Sequence, residues 1–173
     1  MRIALFVEGS APVGSKDHCD RLWNTTLLPA LGRTPVDIIV PIGKNAITNM
    51  LGLPGSSSAP GLDTLICQRQ IRHDLDPARD ALIIAWDLEP IDKGKARCAL
   101  DELISVYTKL ADSLLLQCPA WSISAAKCAK RLEPRKGQKP PTELNNSRVE
   151  PGSVLAVCME PMFEGLYTRD GRA

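Results

Sequence analysis

One stretch, residues 81–89, constrains the fold of this chain more than any other. Its first five residues are apolar without interruption, and it follows the turn-forming pair Asp76-Pro77. A run this short and this apolar is typical of a strand buried on both faces, as in a parallel sheet. The stretch ends in two acids, Asp87 and Glu89, which share one side of a strand because they are two residues apart. We expect them to converge at the carboxyl end of a central strand, where open α/β sheets bind ligands.

The amino-terminal stretch has the same design. The mostly apolar residues 2–7 run directly into Glu8, which is followed by glycine. A second buried strand would thus bring a carboxylate to its own carboxyl end. Carboxylates that meet repel one another unless a cation offsets their charge, and hard oxygen ligands suit Mg²⁺ or Mn²⁺. The sequence therefore predicts a divalent-metal site formed by Glu8, Asp87 and Glu89.

Strand-like and helix-like segments alternate along the rest of the chain. Further strands are predicted at 36–40 and 154–159, and helices at about 16–28, 44–51, 63–73, 95–116 and 122–132. This alternation indicates βαβ units and a parallel sheet. We expect a single α/β domain over residues 1–173. It would be Rossmann-like, with a mostly parallel sheet of about four strands flanked by helices on both faces.

The composition is that of an ordinary globular protein, with 44% hydrophobic residues, 24% charged residues and a net charge of +1. No apolar run approaches the roughly 20 residues that span a bilayer. A charged residue follows the first short apolar segment too early for a signal peptide. We therefore expect a cytoplasmic protein with no membrane partner. Its six cysteines include no CxxC pair and are interpreted as free thiols of a reducing compartment.

Positive charge is concentrated late in the chain. Between Lys127 and Arg148 there are seven basic residues and two acidic ones. The proline-rich part of this region, at about 133–151, is predicted to be a mobile basic loop. Its Lys136 and Lys139 are candidate contacts to nucleic-acid phosphates. The alternative is a loop that is simply solvated.

Residues 9–16 resemble a phosphate-binding P-loop without matching it. In that motif the lysine directly follows the second glycine, whereas here Ser15 comes between that glycine and Lys16. The alternative is a turn with Ser15 as the N-cap of the next helix. Lys16 and His18 are kept as candidate substrate contacts because they follow Glu8 closely in the chain. A small-molecule nucleotide binder or phosphohydrolase that uses this loop stays open as a further function.

The last predicted strand also leads into acids, Glu160 and Glu164. In these features the chain resembles the TOPRIM domain of topoisomerases, bacterial primases and the overcoming-lysogenization-defect nucleases of prokaryotic phage defence. The shorter, standalone TOPRIM-like proteins of defence loci share its layout. The segments that carry the resemblance are LFVEGS, LLPALG, GLDTL, WDLEP and MEPMFEGLY.

The resemblance implies roles for individual residues. Glu8 matches the catalytic glutamate of the family, and Asp87 with Glu89 matches its magnesium-binding DxD pair. Glu164 matches the acidic residue of the late helix, with Glu160 as the alternative. Glu89 departs from the family, which has aspartate there. Its carboxylate lies one methylene farther out, which can shift the metal or make its coordination water-mediated.

The function implied is Mg²⁺- or Mn²⁺-dependent hydrolysis of phosphodiester bonds in DNA or RNA, in anti-phage defence. Hydrolysis is favoured over topoisomerase-type transesterification because neither tyrosine is placed as a nucleophile. Tyr107 lies on the apolar face of the predicted long helix, and Tyr167 is close to the end of the sequence. The main alternative is a non-catalytic nucleic-acid-binding or regulatory subunit of a defence complex. A protein partner and a homo-oligomer both stay open.

Overall fold

The computed structural model describes residues 1–8, 21–30, 32, 35–43, 45–53, 56–87, 99–133 and 149–159. Within these ranges four strands form one parallel sheet in the order β2-β1-β3-β4. Their bounds are β1 Arg2–Glu8, β2 Ile38–Ile42, β3 Asp80–Asp87 and β4 Val154–Met159. The predicted α/β fold with a parallel sheet is confirmed.

The helices of the described ranges pack on both faces of this sheet. α1 is a π-helical segment, Arg21–Leu27, that continues into a short α-helix, Leu28–Ala30. The others are α2 Ala46–Leu51, α3 Leu62–Ile71, α4 Ala99–Ser113 and α5 Pro119–Leu132. α2 to α5 cover one face, and Trp23 and Leu28 of α1 pack against the other.

Alternation along the strands separates two apolar clusters. On the face covered by α2 to α5, Phe6, Ile84 and Trp86 are buried together with Leu110 and Trp121. Burying one such side chain contributes roughly 1.5–3 kcal/mol, so this larger cluster supplies most of the apolar stabilisation. The cluster on the opposite face is smaller and contains Leu5, Val7, Val36, Ile39 and Ala85.

Both predicted boundaries of β2 were wrong. The strand was predicted over residues 36–40, but it begins at Ile38 and continues through Pro41, which pairs with Val7, to Ile42. Proline is tolerated there because β2 is at the edge of the described sheet. The preceding helix, predicted to end at about Leu28, ends at Ala30. It is followed by Gly32, which has a φ of 65° and donates its N–H to the Pro29 carbonyl.

The N-cap of α3 is a glycine. Gly61 occupies that position, and Asp63, where the predicted helix begins, lies in the first turn. A Cβ at Gly61 would come within 2.9 Å of the Met50 Cα, so the close approach of α2 requires glycine at this point. Asp63 still favours the helix, because an acid in the first turn complements the helix dipole.

An ion pair joins β1 and β3 at the amino-terminal edge of the sheet. The Arg2 guanidinium donates from Nε and Nη2 to the two carboxylate oxygens of Asp80, each at 2.7 Å. The backbone N–H of Asp76 also donates to Asp80, at 2.8 Å. Asp80 is fully buried, whereas the Arg2 side chain is 38% exposed. This edge is opposite the one at which Glu8 and Asp87 lie.

Four cysteines of the described ranges, Cys67, Cys118, Cys128 and Cys158, are free thiols, as predicted. Burial raises the pKa of Cys118 to about 12, so this thiol stays protonated near neutral pH. Cys19 and Cys98 lie outside the described residues. None of the helices described is long and apolar enough to cross a membrane.

Candidate functional site

The carboxyl ends of β1 and β3 lie side by side in the sheet. The two strands are parallel neighbours, and their register pairs Phe6 with Ile84 and Val7 with Ala85. Glu8, the last residue of β1, is therefore level with Trp86. Asp87, the last residue of β3, is one residue farther along. Two strands separated by 78 residues at their start thus bring acidic residues to the same edge, as the sequence predicted.

The two positions share an edge of the sheet but not a face. Neighbouring strands are about 4.8 Å apart and rise about 3.3 Å per residue, which puts the Cα atoms of Glu8 and Asp87 about 6 Å apart. By strand alternation, Glu8 is in step with Phe6, on the face covered by α2 to α5, whereas position 87 is in step with Ala85, on the face covered by α1. Glu8 is partly buried, and it is also level with Ile42 of β2.

The remaining predicted site residues lie outside the described residues. They are Lys16, His18, Glu89, Lys136, Lys139, Glu160 and Glu164. Among the residues that are described, no group of three or more His, Cys, Asp or Glu side chains could hold a metal ion. The described part of the chain therefore contributes two acidic positions to the predicted metal site, and Glu89 stays a prediction.

Neither protein-family models, nor curated proteins, nor solved structures gave a match to this chain. The TOPRIM resemblance consequently rests on the sequence motifs quoted above. The sheet order and the adjacency of the β1 and β3 ends do not depend on that resemblance, because they are properties of the fold.

A buried acid beside this edge, Glu102, was not predicted from the sequence. The Trp86 indole Nε1 donates to Oε1 of Glu102, at 2.9 Å, and both residues are buried. Glu102 belongs to the first turn of α4, where a carboxylate also complements the helix dipole. The bond fixes the start of α4 to the residue that directly precedes Asp87. The sequence held one signal for it: Glu102 is four residues before Val106, on the apolar stripe of the helix.

Replacing Glu102 with alanine is expected to lower the free energy of unfolding by about 2 kcal/mol, because the buried Trp86 N–H would lose an acceptor. Glu102→Gln keeps an amide oxygen in place and should lose less than half as much. Asp101→Ala is the matched control, since Asp101 is exposed in the same turn. Urea unfolding followed by circular dichroism measures all three. Equal losses for Glu102→Ala and Asp101→Ala would show that the indole bond contributes nothing.

Tyr107 belongs to the buried core on the inner side of α4. Its side chain is fully buried, and its hydroxyl oxygen accepts the backbone N–H of Ala156 at 2.7 Å. Burial also raises the pKa of the phenol well above its usual range, which disfavours the phenolate that a nucleophile requires. Tyr107 thus ties α4 to β4. Tyr167, the other tyrosine, lies outside the described residues.

Proposed function

We propose that this protein hydrolyses phosphodiester bonds of nucleic acid with a bound divalent metal ion, in the manner of TOPRIM nucleases. The observation that carries the proposal is the adjacency of β1 and β3, which brings Glu8 and Asp87 to one edge of a parallel sheet. The carboxyl edge of a parallel α/β sheet is where such folds bind their ligands. The sequence motifs that resemble the TOPRIM domain lie at the same two strand ends.

In this proposal, Asp87 and Glu89 hold Mg²⁺ or Mn²⁺, and Glu8 is either a further ligand or the general acid/base. Glu164 completes the metal shell, with Glu160 as its alternative. The ion would supply charge stabilisation to the phosphoryl oxygens and a more acidic bound water. A glutamate at the end of β1 can accept a proton from the attacking water or donate one to the leaving oxygen.

Substrate contacts are proposed for four basic residues that lie outside the described ranges. Lys16 and His18 follow Glu8 in the chain. Lys136 and Lys139 belong to the basic region of the sequence after α5. Cations near the scissile bond would position the phosphate and offset its charge. Water is the proposed nucleophile, which is supported by the burial of Tyr107. We place this activity in the cytoplasm, in defence against phage, because the resembling proteins act there.

Purified full-length protein is expected to cleave nucleic acid only when a suitable divalent ion is present. Plasmid DNA, single-stranded DNA and transfer RNA are incubated with Mg²⁺ or Mn²⁺, and with EDTA as the control. We expect products from at least one polymer with either ion and none with EDTA. Cleavage that persists in EDTA would contradict the metal-dependent mechanism. Tight binding without turnover under any metal would favour the non-catalytic binding subunit.

A further inference from the structure

A cleft of about 340 Å³ opens between α5 and the segment that leads into β4. This volume is at the lower end of the range for sites that bind small molecules or parts of larger ones. The residues that matter for its chemistry come from both walls: Ser124, Lys127 and Arg131 from α5, and Glu150, Gly152 and Ser153 from the segment before β4.

Hydrogen bonds to the backbone fix both walls of this cleft. The Ser124 hydroxyl accepts the N–H of Val154 at 2.9 Å, which joins α5 to the first residue of β4. The Gly152 N–H donates to the carbonyl of Asp80 at 2.9 Å, and the Glu150 N–H donates to the Ser153 hydroxyl at 3.0 Å. A site whose walls are already held in place loses little entropy when a ligand binds.

The basic groups of the cleft lie on one face of α5. Lys127 and Arg131 are four residues apart, so they are neighbours on the helix surface, and both are exposed. Glu150 is the acidic residue among those that line the cleft. A guanidinium next to an ammonium group is well suited to a phosphate, since the first binds two oxygens and the second adds a point charge. Arg131 already has a partner in the structure, so a bound phosphate would exchange with that contact.

The cleft lies at the amino-terminal edge of the sheet, because its Gly152 bonds to Asp80, and α5 runs from there toward the carboxylate edge. α4 runs against the strands, because Glu102 contacts Trp86 near the end of β3 whereas Tyr107 contacts Ala156, which is farther from that edge. α5 runs antiparallel to α4, with its early Ser122 bonded to a carbonyl late in α4. The basic carboxyl end of α5 is therefore directed toward the edge at which Glu8 and Asp87 lie.

We propose that the cleft binds a backbone phosphate of nucleic acid through Lys127 and Arg131, and that α5 guides the strand toward the carboxylate edge. The identity of the ligand rests on the proposed function. Binding in the cleft is nevertheless separable from catalysis, because neither Lys127 nor Arg131 belongs to the proposed metal site.

The test is fluorescence anisotropy with the full-length protein in EDTA, so that no turnover occurs. The probes are fluorescein-labelled 20-nucleotide single strands of DNA and of RNA. Lys127→Ala/Arg131→Ala is expected to weaken binding about tenfold or more. It should also flatten the dependence of log Kd on log salt by up to about two units, roughly one for each lost phosphate contact.

Lys130→Ala is the matched control. Lys130 is exposed on the same helix and carries the same charge, but it does not line the cleft. Its Kd should stay within about threefold of the wild-type value. If Lys130→Ala weakens binding as much as the double variant, or the double variant binds like wild type, the cleft assignment is overturned. Unchanged circular dichroism spectra confirm that each variant is folded.

Two further outcomes are informative. One distinguishes nucleic acid from a small phosphate compound as the ligand, and the other distinguishes the cleft proposal from the nuclease proposal. If the wild type binds neither oligonucleotide, the cleft proposal is overturned. Thermal stabilisation by ATP or inorganic phosphate that disappears in Lys127→Ala/Arg131→Ala would then identify a small phosphate compound as the ligand. If the oligonucleotides bind through the cleft but no metal supports cleavage, the cleft proposal stands and the nuclease proposal fails.

Discussion

Replacing Glu8 with glutamine is expected to slow metal-dependent cleavage at least about a hundredfold, the smaller end of what a positioned acid or base contributes. The reason is the position of Glu8 at the last residue of β1, beside the end of β3. Glutamine keeps the shape and one oxygen, but it loses the negative charge that binds a metal ion or accepts a proton. The rate of product formation under single-turnover conditions measures the effect.

Glu133→Gln provides the same chemical change at an exposed glutamate directly after α5. It should leave the cleavage rate within about twofold of wild type, since surface changes of this kind have small effects. Affinity for an oligonucleotide in EDTA should be the same for Glu8→Gln and wild type, because the loss lies in the chemical step. A Glu8→Gln variant that cleaves at the wild-type rate would place the reacting groups elsewhere in the chain.

The fold was readable from the sequence because its strands are short apolar runs that end in polar residues. β3 and β4 match the predicted stretches. The acids at the ends of β1 and β3 were predicted to share one edge of the sheet, and the pairing of these two strands puts both positions there. Strand boundaries were less accurate at β2, where proline suggested an end. An edge position removes the cost of the missing N–H, and whether a strand is at an edge depends on the sheet order.

Interactions between distant parts of the chain were not readable from the sequence. Glu102 looks like one of two acids in a helix's first turn, and only the packing of α4 on β3 distinguishes it from its exposed neighbour Asp101. Arg2 and Asp80 are 78 residues apart, and their pairing depends on the register between β1 and β3. A hydrophobic pattern fixes which face of a strand is buried but not which partner lies beside it.

Replacing Asp80 with asparagine is expected to give the largest loss of stability, about 3 kcal/mol at neutral pH. The carboxylate accepts bonds from both Arg2 nitrogens and from the Asp76 N–H, and hydrogen bonds to a charged group contribute more than neutral ones. Asparagine can accept at only one side-chain atom and would turn an NH₂ group toward Arg2 or the backbone N–H. Chemical unfolding in urea measures the change. Arg79→Ala is the control, because it removes an exposed ion pair to Asp76, and its effect should stay below about 1 kcal/mol.

The pH dependence of this loss provides a second measurement. Burial alone would raise the pKa of Asp80, but the bonds from Arg2 and from the Asp76 N–H, with the charge of Arg2, outweigh it and lower the pKa below the usual 3.8. A carboxylate whose pKa is lower in the folded state stabilises the fold above the pKa of the unfolded chain. That contribution disappears as the pH falls through the lowered pKa. The stability difference between wild type and Asp80→Asn should therefore be constant from about pH 5 upward and shrink below about pH 4. A difference that stays the same down to pH 2 would mean that the ionised carboxylate is not what stabilises this edge of the sheet.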